Sequence, residues 1–133
     1  MKIGVVGCGL IGSRRAAVVS ELGEKVVLVA DVDSARAQGL AEKSGGKWSA
    51  DWREVVGQPD VDIVVVSTVN KLLAPVTVAA LKAGKHVLCE KPLGRNAVEA
   101  REMVEVARQA GRILKVGFNH RHHPAIWKAH EIC

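Results

Sequence analysis

The chain has 133 residues, 48% of them hydrophobic and 25% charged, with 13 glycines, which is the composition of one globular domain and excludes a disordered or collagen-like chain. Three Trp, one Phe and no Tyr are too few for the stacking platforms of single-stranded nucleic-acid binders, so the core has to be built from Val, Ala, Leu and Ile. The net charge of +5 is scattered over residues such as Arg14, Arg15, Arg36, Arg53, Lys82, Lys85, Arg108 and Arg112; with no basic stripe on any helix they read as a solvated surface, and neither nucleic acid nor membrane is an expected partner.

Five short apolar runs read as strands: Lys2–Val6, Lys25–Ala30, Val61–Val66, His86–Cys89 and Ile113–Val116. They are rich in Val and Ile and do not alternate with polar residues, so both faces of the sheet should be covered. Helical stretches lie between them. Leu10–Leu22 carries Ala16, Ala17, Val18 and Val19, and Ser34–Lys43 carries Ala37, Leu40 and Ala41, with Gly45 placed to end it. Lys47–Gln58 is less regular; a short helix is expected near Asp51–Val56, with Trp48 and Trp52 packed against the sheet. Ala74–Ala83 has Pro75 early, Lys82 in its last turn and Gly84 just beyond. Ala97–Ala110 has the clearest signals: Asn96 to cap it, Glu99 three residues later, and Gly111 after its end. Strand and helix in alternation predict right-handed crossovers onto a doubly wound parallel sheet.

Cys8, Cys89 and Cys133 have no metal-type spacing and suit reduced thiols in a cytoplasmic protein. Lys2 followed by the apolar Ile3–Gly12 imitates a signal peptide, but that stretch holds four glycines and runs into Arg14 and Arg15. No segment reaches the ~18 uncharged apolar residues of a membrane span.

Gly7-Cys8-Gly9-Leu10-Ile11-Gly12 is a GxGxxG pattern, following a predicted strand and opening a predicted helix. Gly7 allows the tight turn, Gly9 lets backbone N–H groups approach a pyrophosphate, and Gly12 lets the helix pack close to the strand. The helix N-terminus, at Leu10 and Ile11, supplies partial positive charge to the phosphates. Asp31, at the end of the second strand, can accept hydrogen bonds from an adenosine ribose and would repel a 2′-phosphate. The other reading of Asp31 is a turn or capping residue, a role that Asp33 fits better. NAD is the expected cofactor, with NADP possible because Arg36 could reach a phosphate. Thr68 and Asn70 follow the third strand at the sheet's carboxyl edge, where they either face a ligand or cap the next helix. Up to this point a methyltransferase would account for the same features.

The stretch Gly84–Leu93 reads as a helix stop, a buried strand and a charged pair at the strand's end. Lys91 is placed either at the ligand edge, where partial burial would help it move a proton, or on the surface paired with Glu90. Here the sequence resembles the glucose–fructose oxidoreductase, inositol dehydrogenase and MocA-like family over essentially its whole length. The match runs in order through GxGxxG, Asp31, Thr68 and Asn70, the run AALKAGKHVLCEKPL from Ala79 to Leu93, and VGFNHRHHP from Val116 to Pro124. The last two motifs are far more specific than the glycine loop and displace the methyltransferase.

The resemblance implies a Rossmann-type domain, residues 1–119, of a nicotinamide-dependent oxidoreductase acting on a sugar, inositol or other polyol. It implies that Lys91 is the catalytic lysine, in a Lys91–Pro92 bond that is often cis in such proteins. Glu90 and Asn119 would line the nicotinamide side, with Arg121 near the same cleft. Two positions depart from the family's pattern: Val69 stands where Pro is common, and Leu73 where His is common. His120, His122 and His123 are not expected to hold a metal.

In this family a second, antiparallel domain supplies the general base, commonly from Asp-x-x-x-His. No such motif occurs here. The substrate domain is therefore expected to be absent, residues 120–133 to start the connection to it, and the chain alone to be inactive. The other expectation is a non-catalytic dinucleotide-binding or redox-sensing module paired with another subunit. Truncation would leave Ile126, Trp127 and Ile132 without their usual partners, so homo-oligomerisation is expected.

Overall fold

The computed structural model describes all residues, Met1–Cys133. The elements run β1 (Lys2–Val6), α1 (Leu10–Glu21), β2 (Lys25–Ala30), α2 (Ser34–Ser44), β3 (Lys47–Ser49), α3 (Trp52–Gly57), β4 (Ile63–Val66), α4 (Asn70–Lys82), β5 (His86–Cys89), α5 (Ala97–Ala110) and β6 (Leu114–Val116). A 3₁₀ turn (Asn119–His122) and α6 (Pro124–Ile132) follow. The six strands form one sheet in the order β3-β2-β1-β4-β5-β6, every pair parallel. This is the doubly wound Rossmann arrangement, with the strand order reversing between β1 and β4.

The apolar runs become strands because both sheet faces are covered. On one face Ala16 of α1 and Ala37, Leu40 and Ala41 of α2 pack on Ile3, Val5, Val26, Val29 and Val65. On the other, α3, α4 and α5 bring Val55, Leu73, Val76, Leu81 and Met103 against Val6, Val64, Val66 and Val87. The fully buried core is Val, Ala, Leu and Ile with two Cys and one Met, and no aromatic side chain is among them.

The helix ends follow the chemistry of their residues. Asn96 accepts a hydrogen bond from the Glu99 N–H at 3.0 Å, and Gly111 closes α5 in the left-handed region at φ 60°. Asp33 caps α2 by accepting from the N–H groups of Ala35 and Arg36, and Gly45 ends it at φ 73°.

Four expectations need correction. The edge strand β3 was not expected, because Lys-Trp-Ser offers no apolar run; it exists through its register on Leu28–Ala30. Trp48 lies on that edge and is 43% exposed instead of packed on the sheet, whereas Trp52 does pack against the core. Helix α4 starts at Asn70, not Ala74, and holds Pro75 in its interior. Pro75 forgoes one backbone hydrogen bond there, a loss the helix tolerates on its exposed side while Leu73, Ala74, Val76 and Thr77 are buried. Lys85 is not on a solvated surface: it is buried, and its Nζ donates to the carbonyls of Gln58 at 2.9 Å and Pro59 at 3.3 Å, so the turn before β4 supplies the hydrogen bonds that water would give it.

Candidate functional site

Strand β1 delivers Gly7 to the carboxyl edge of the sheet, where the chain turns sharply into α1. Gly7 sits at φ 95°, and a Cβ there would lie 2.6 Å from the Ser67 carbonyl carbon and 2.9 Å from the Thr68 nitrogen. Gly12 is clamped as well: a Cβ would drive into the Gly7 carbonyl oxygen and lie 2.8 Å from Ser67 Oγ. Ser67 Oγ donates to that same carbonyl at 2.8 Å, tying the end of β4 to the loop. Gly9 differs. A Cβ there meets nothing within 4 Å, so no protein group explains its being glycine; it faces an open cleft.

That cleft has a volume of about 470 Å³ and is lined by Gly7, Gly9, Asp31, Arg36, Thr68 and Trp52, among others. Asp31 uses both carboxylate oxygens. Oδ2 accepts from the Cys8 N–H at 2.7 Å, and Oδ1 accepts from the Asp33 N–H at 3.0 Å. The carboxylate thus steadies the glycine loop while its remaining lone pairs face the cleft. Asp33 takes the helix-capping role, and Arg36 Nε pairs with Asp33 Oδ2 at 3.1 Å on the cleft's rim. Trp52 forms part of the apolar wall, and the Arg53 guanidinium lies 4.8 Å from the centre of its ring. Neither Thr68 nor Asn70 caps α4: the cap residue is Val69, with no side-chain hydrogen bond. Leu73, where the family commonly has His, is buried in the core beneath α4.

The strand β5 end forms a second cluster. Glu90 is buried, and Arg15 of α1 reaches it across the sheet edge. Arg15 Nε donates to Glu90 Oε1 at 2.8 Å, Nη2 contacts the same oxygen, and Nη2 also donates to Asn119 Oδ1 at 2.9 Å. Gly117 leaves room for this carboxylate, since a Cβ there would lie 2.7 Å from Glu90 Oε2. Arg15 therefore does not belong to a solvated surface, and its side chain is 24% exposed. Sequence reasoning missed it because its partners stand 75 and 104 residues away. Arg15 and Glu90 thus form a part-buried ion pair that ties α1 to the end of β5.

Glu90 is thereby committed to Arg15, and Lys91 is left exposed at the strand end with no ion-pair partner. Lys91 is thus on the surface, without the partial burial of the one reading and without the Glu90 pairing of the other. The Lys91–Pro92 peptide is cis. Of the residues singled out from the sequence, Gly7, Gly9, Asp31 and Thr68 share the cleft, Gly12 supports it, and Leu10 and Ile11 open α1 beside it. Glu90 and Asn119 meet in the second cluster. Asn70 is exposed at the start of α4. Arg121 stands apart from the cleft, in a separate hollow with Ile126 and Trp127, where its carbonyl accepts from Trp127 Nε1 at 2.6 Å.

Cys8 sits inside the glycine loop. Burial pushes its thiol up to about 12, and the Asp31 carboxylate adds to the rise. Burial also raises the Cys89 thiol, while Cys133 is exposed. At pH 8 an aromatic disulfide reagent is therefore expected to label one thiol quickly in the native chain and all three after denaturation. Rapid native labelling of Cys8 would show that the loop opens.

Residues 1–118 match the family model described as an oxidoreductase family with an NAD-binding Rossmann fold. The 1,5-anhydro-D-fructose reductase of Ensifer adhaerens is 44% identical over 119 residues, covering 84% of this chain and 35% of that protein. The inositol 2-dehydrogenase of Salmonella paratyphi B is 37% identical over 129 residues, covering 92% and 38%. The crystal structure of an NAD-binding oxidoreductase from Klebsiella pneumoniae superposes with a TM-score of 0.83 at 40% identity, covering 99% of this chain and 38% of that one. The chain thus spans little more than a third of the length of these relatives. With residues 1–118 matching the family's model and a six-stranded parallel sheet, it belongs to the Gfo/Idh/MocA oxidoreductase family and carries that family's NAD-binding Rossmann domain.

Proposed function

We propose that this chain is the cofactor half of a dehydrogenase or reductase that works on the hydroxyl-bearing carbon of a sugar, inositol or related polyol. The observation that carries the reading is the glycine loop fastened to Asp31 at one end of the sheet edge, with Lys91 free at the end of β5. The cleft fits a dinucleotide: Gly9 presents backbone without a side chain, and α1 begins beside it. The backbone of Gly7, Gly9, Leu10 and Ile11 would hold the pyrophosphate, Asp31 the adenosine ribose, and Thr68 and Asn70 the edge after β4. Glu90, Lys91 and Asn119 are assigned to the nicotinamide side.

When bound, the nicotinamide accepts or supplies hydride at C4. Lys91 would orient the reacting hydroxyl or carbonyl and carry part of its proton's movement. A general base and a substrate pocket belong to a second domain in this reading, with residues 120–133 leading toward it. The 133-residue chain alone is then expected to bind dinucleotide without turning substrate over.

Calorimetric titration tests the cofactor assignment. NAD⁺ is expected to bind more tightly than NADP⁺, because the Asp31 carboxylate repels a 2′-phosphate. Asp31→Ala is expected to weaken NAD⁺ by roughly 10–100-fold, the worth of hydrogen bonds to a charged group, and to narrow the gap between the two cofactors. Equal NAD⁺ affinity in wild type and variant would remove Asp31 from the site.

A further inference from the structure

Arg15 lies outside the glycine motif, yet its guanidinium is the one group that joins α1, the end of β5 and the turn after β6. It donates to Glu90 through Nε and to Asn119 through Nη2. We infer that Arg15 is a positioning residue for the nicotinamide end of the cofactor, acting through Glu90 and Asn119. The inference rests on the dinucleotide reading above.

The sheet order supplies the argument. Asp31 follows β2, and the cleft runs from it past the glycine loop to Ser67 and Thr68 at the end of β4, so it spans the point where the strand order reverses. A dinucleotide that places its adenosine at Asp31 and its phosphates on the glycine loop must extend its other half over β4, β5 and β6. Glu90 follows β5, and Asn119 follows β6. Both are polar side chains on this second half of the edge, and neither is fixed by an element of its own. Glu90 follows the last residue of its strand, and Asn119 stands in an exposed 3₁₀ turn. Arg15 gives both a common anchor from the helix whose first turn would face the phosphates.

The geometry also explains why arginine is required. Its planar fork places two separate N–H donors on two acceptors at once. An ammonium group at the same place could neutralise Glu90 but is a single point of charge. Gly117 makes the arrangement possible from the other side, because any side chain there would collide with the Glu90 carboxylate.

The test compares two ligands that share the adenosine and phosphates but differ in the nicotinamide: NAD⁺ and ADP-ribose, each titrated into the 133-residue chain and its Arg15→Lys and Arg15→Met variants. Wild type is expected to prefer NAD⁺. Arg15→Lys is expected to keep its melting temperature close to wild type and its ADP-ribose affinity unchanged, while NAD⁺ weakens about fivefold, the worth of one ordinary hydrogen bond. Arg15→Met is expected to lose the preference altogether; should it fail to fold, Arg15→Lys decides the matter alone. Parallel weakening of both ligands would make Arg15 merely structural, and an unchanged preference would overturn the assignment. So would a wild type with equal affinity for the two. Binding of neither ligand by the wild type would instead overturn the dinucleotide reading itself.

Discussion

Alanine at residue 12 is expected to unfold much of the glycine loop, whereas alanine at residue 9 is expected to leave the fold intact and abolish cofactor binding. The two glycines stand three residues apart in one motif, so the contrast isolates geometry from composition. At residue 12 the added methyl enters the space of the Gly7 carbonyl and lies 3.0 Å from its carbon, with Ser67 Oγ at 2.8 Å. The two Gly7 atoms are backbone, and Ser67 Oγ is held by its hydrogen bond to the Gly7 carbonyl. Gly7 is pinned by its hydrogen bond from N–H to the Ala30 carbonyl at 2.8 Å, and Ser67 by its own N–H to the Val6 carbonyl at 2.8 Å. Helix α1 must therefore move off the sheet, at a cost of about 3 kcal/mol or more. Thermal melting should fall by roughly 10 °C. At residue 9 nothing lies within 4 Å, and its φ of −70° suits any residue. Gly9→Ala should melt like the wild type, with its loss confined to dinucleotide affinity. Normal binding by Gly9→Ala would mean that the phosphates do not approach the loop there.

The second large effect concerns Lys91. In a chain that carries the substrate domain, Lys91→Ala is expected to lower turnover by roughly 10²–10⁴-fold, the range for positioned proton transfer, with little change in dinucleotide affinity. Glu90 is occupied by Arg15, so the Lys91 ammonium is not spent on its neighbour and stays available to a substrate. Steady-state kinetics beside cofactor titration separate the possibilities. Equal losses in turnover and cofactor affinity would make Lys91 a cofactor-binding residue instead.

Much of the fold was legible because its signals are local. Val and Ile runs mark the buried strands, Asn96 with Gly111 brackets α5 to the residue, and Gly45 ends α2. The loop from Gly7 to Gly12 was legible for the same reason, since strand, turn and helix adjoin one another in sequence. What escaped depends on partners far along the chain. Strand β3 has no pattern of its own and is defined by β2. Lys85 looked like surface charge until the Gln58 and Pro59 carbonyls enclosed it. Arg15 looked the same until Glu90 and Asn119 arrived from the opposite half of the sheet. The start of α4 was misplaced because Pro75 resembles a first-turn proline, and only the burial of Leu73 and Ala74 shows that the helix already passes there. Trp52 was expected to pack on the sheet and does, but its second face, toward the cleft, follows from where α3 lies.

The position of β1 at the centre of the sheet also sets an order of events. Strand β1 pairs with β2 on one side, yet its other edge waits for β4, which follows later in the chain, where Ile3 meets Ile63 and Val6 meets Val66. Until then that edge is an open row of unpaired amides, the state most exposed to misassociation. The glycine loop is closed by Ser67, which arrives only with β4. The cofactor site is thus a late product of folding. A dinucleotide can reward the finished domain by mass action, but it has nothing to hold in the nascent half-sheet, and it cannot hasten the slow long-range step that creates its own binding place.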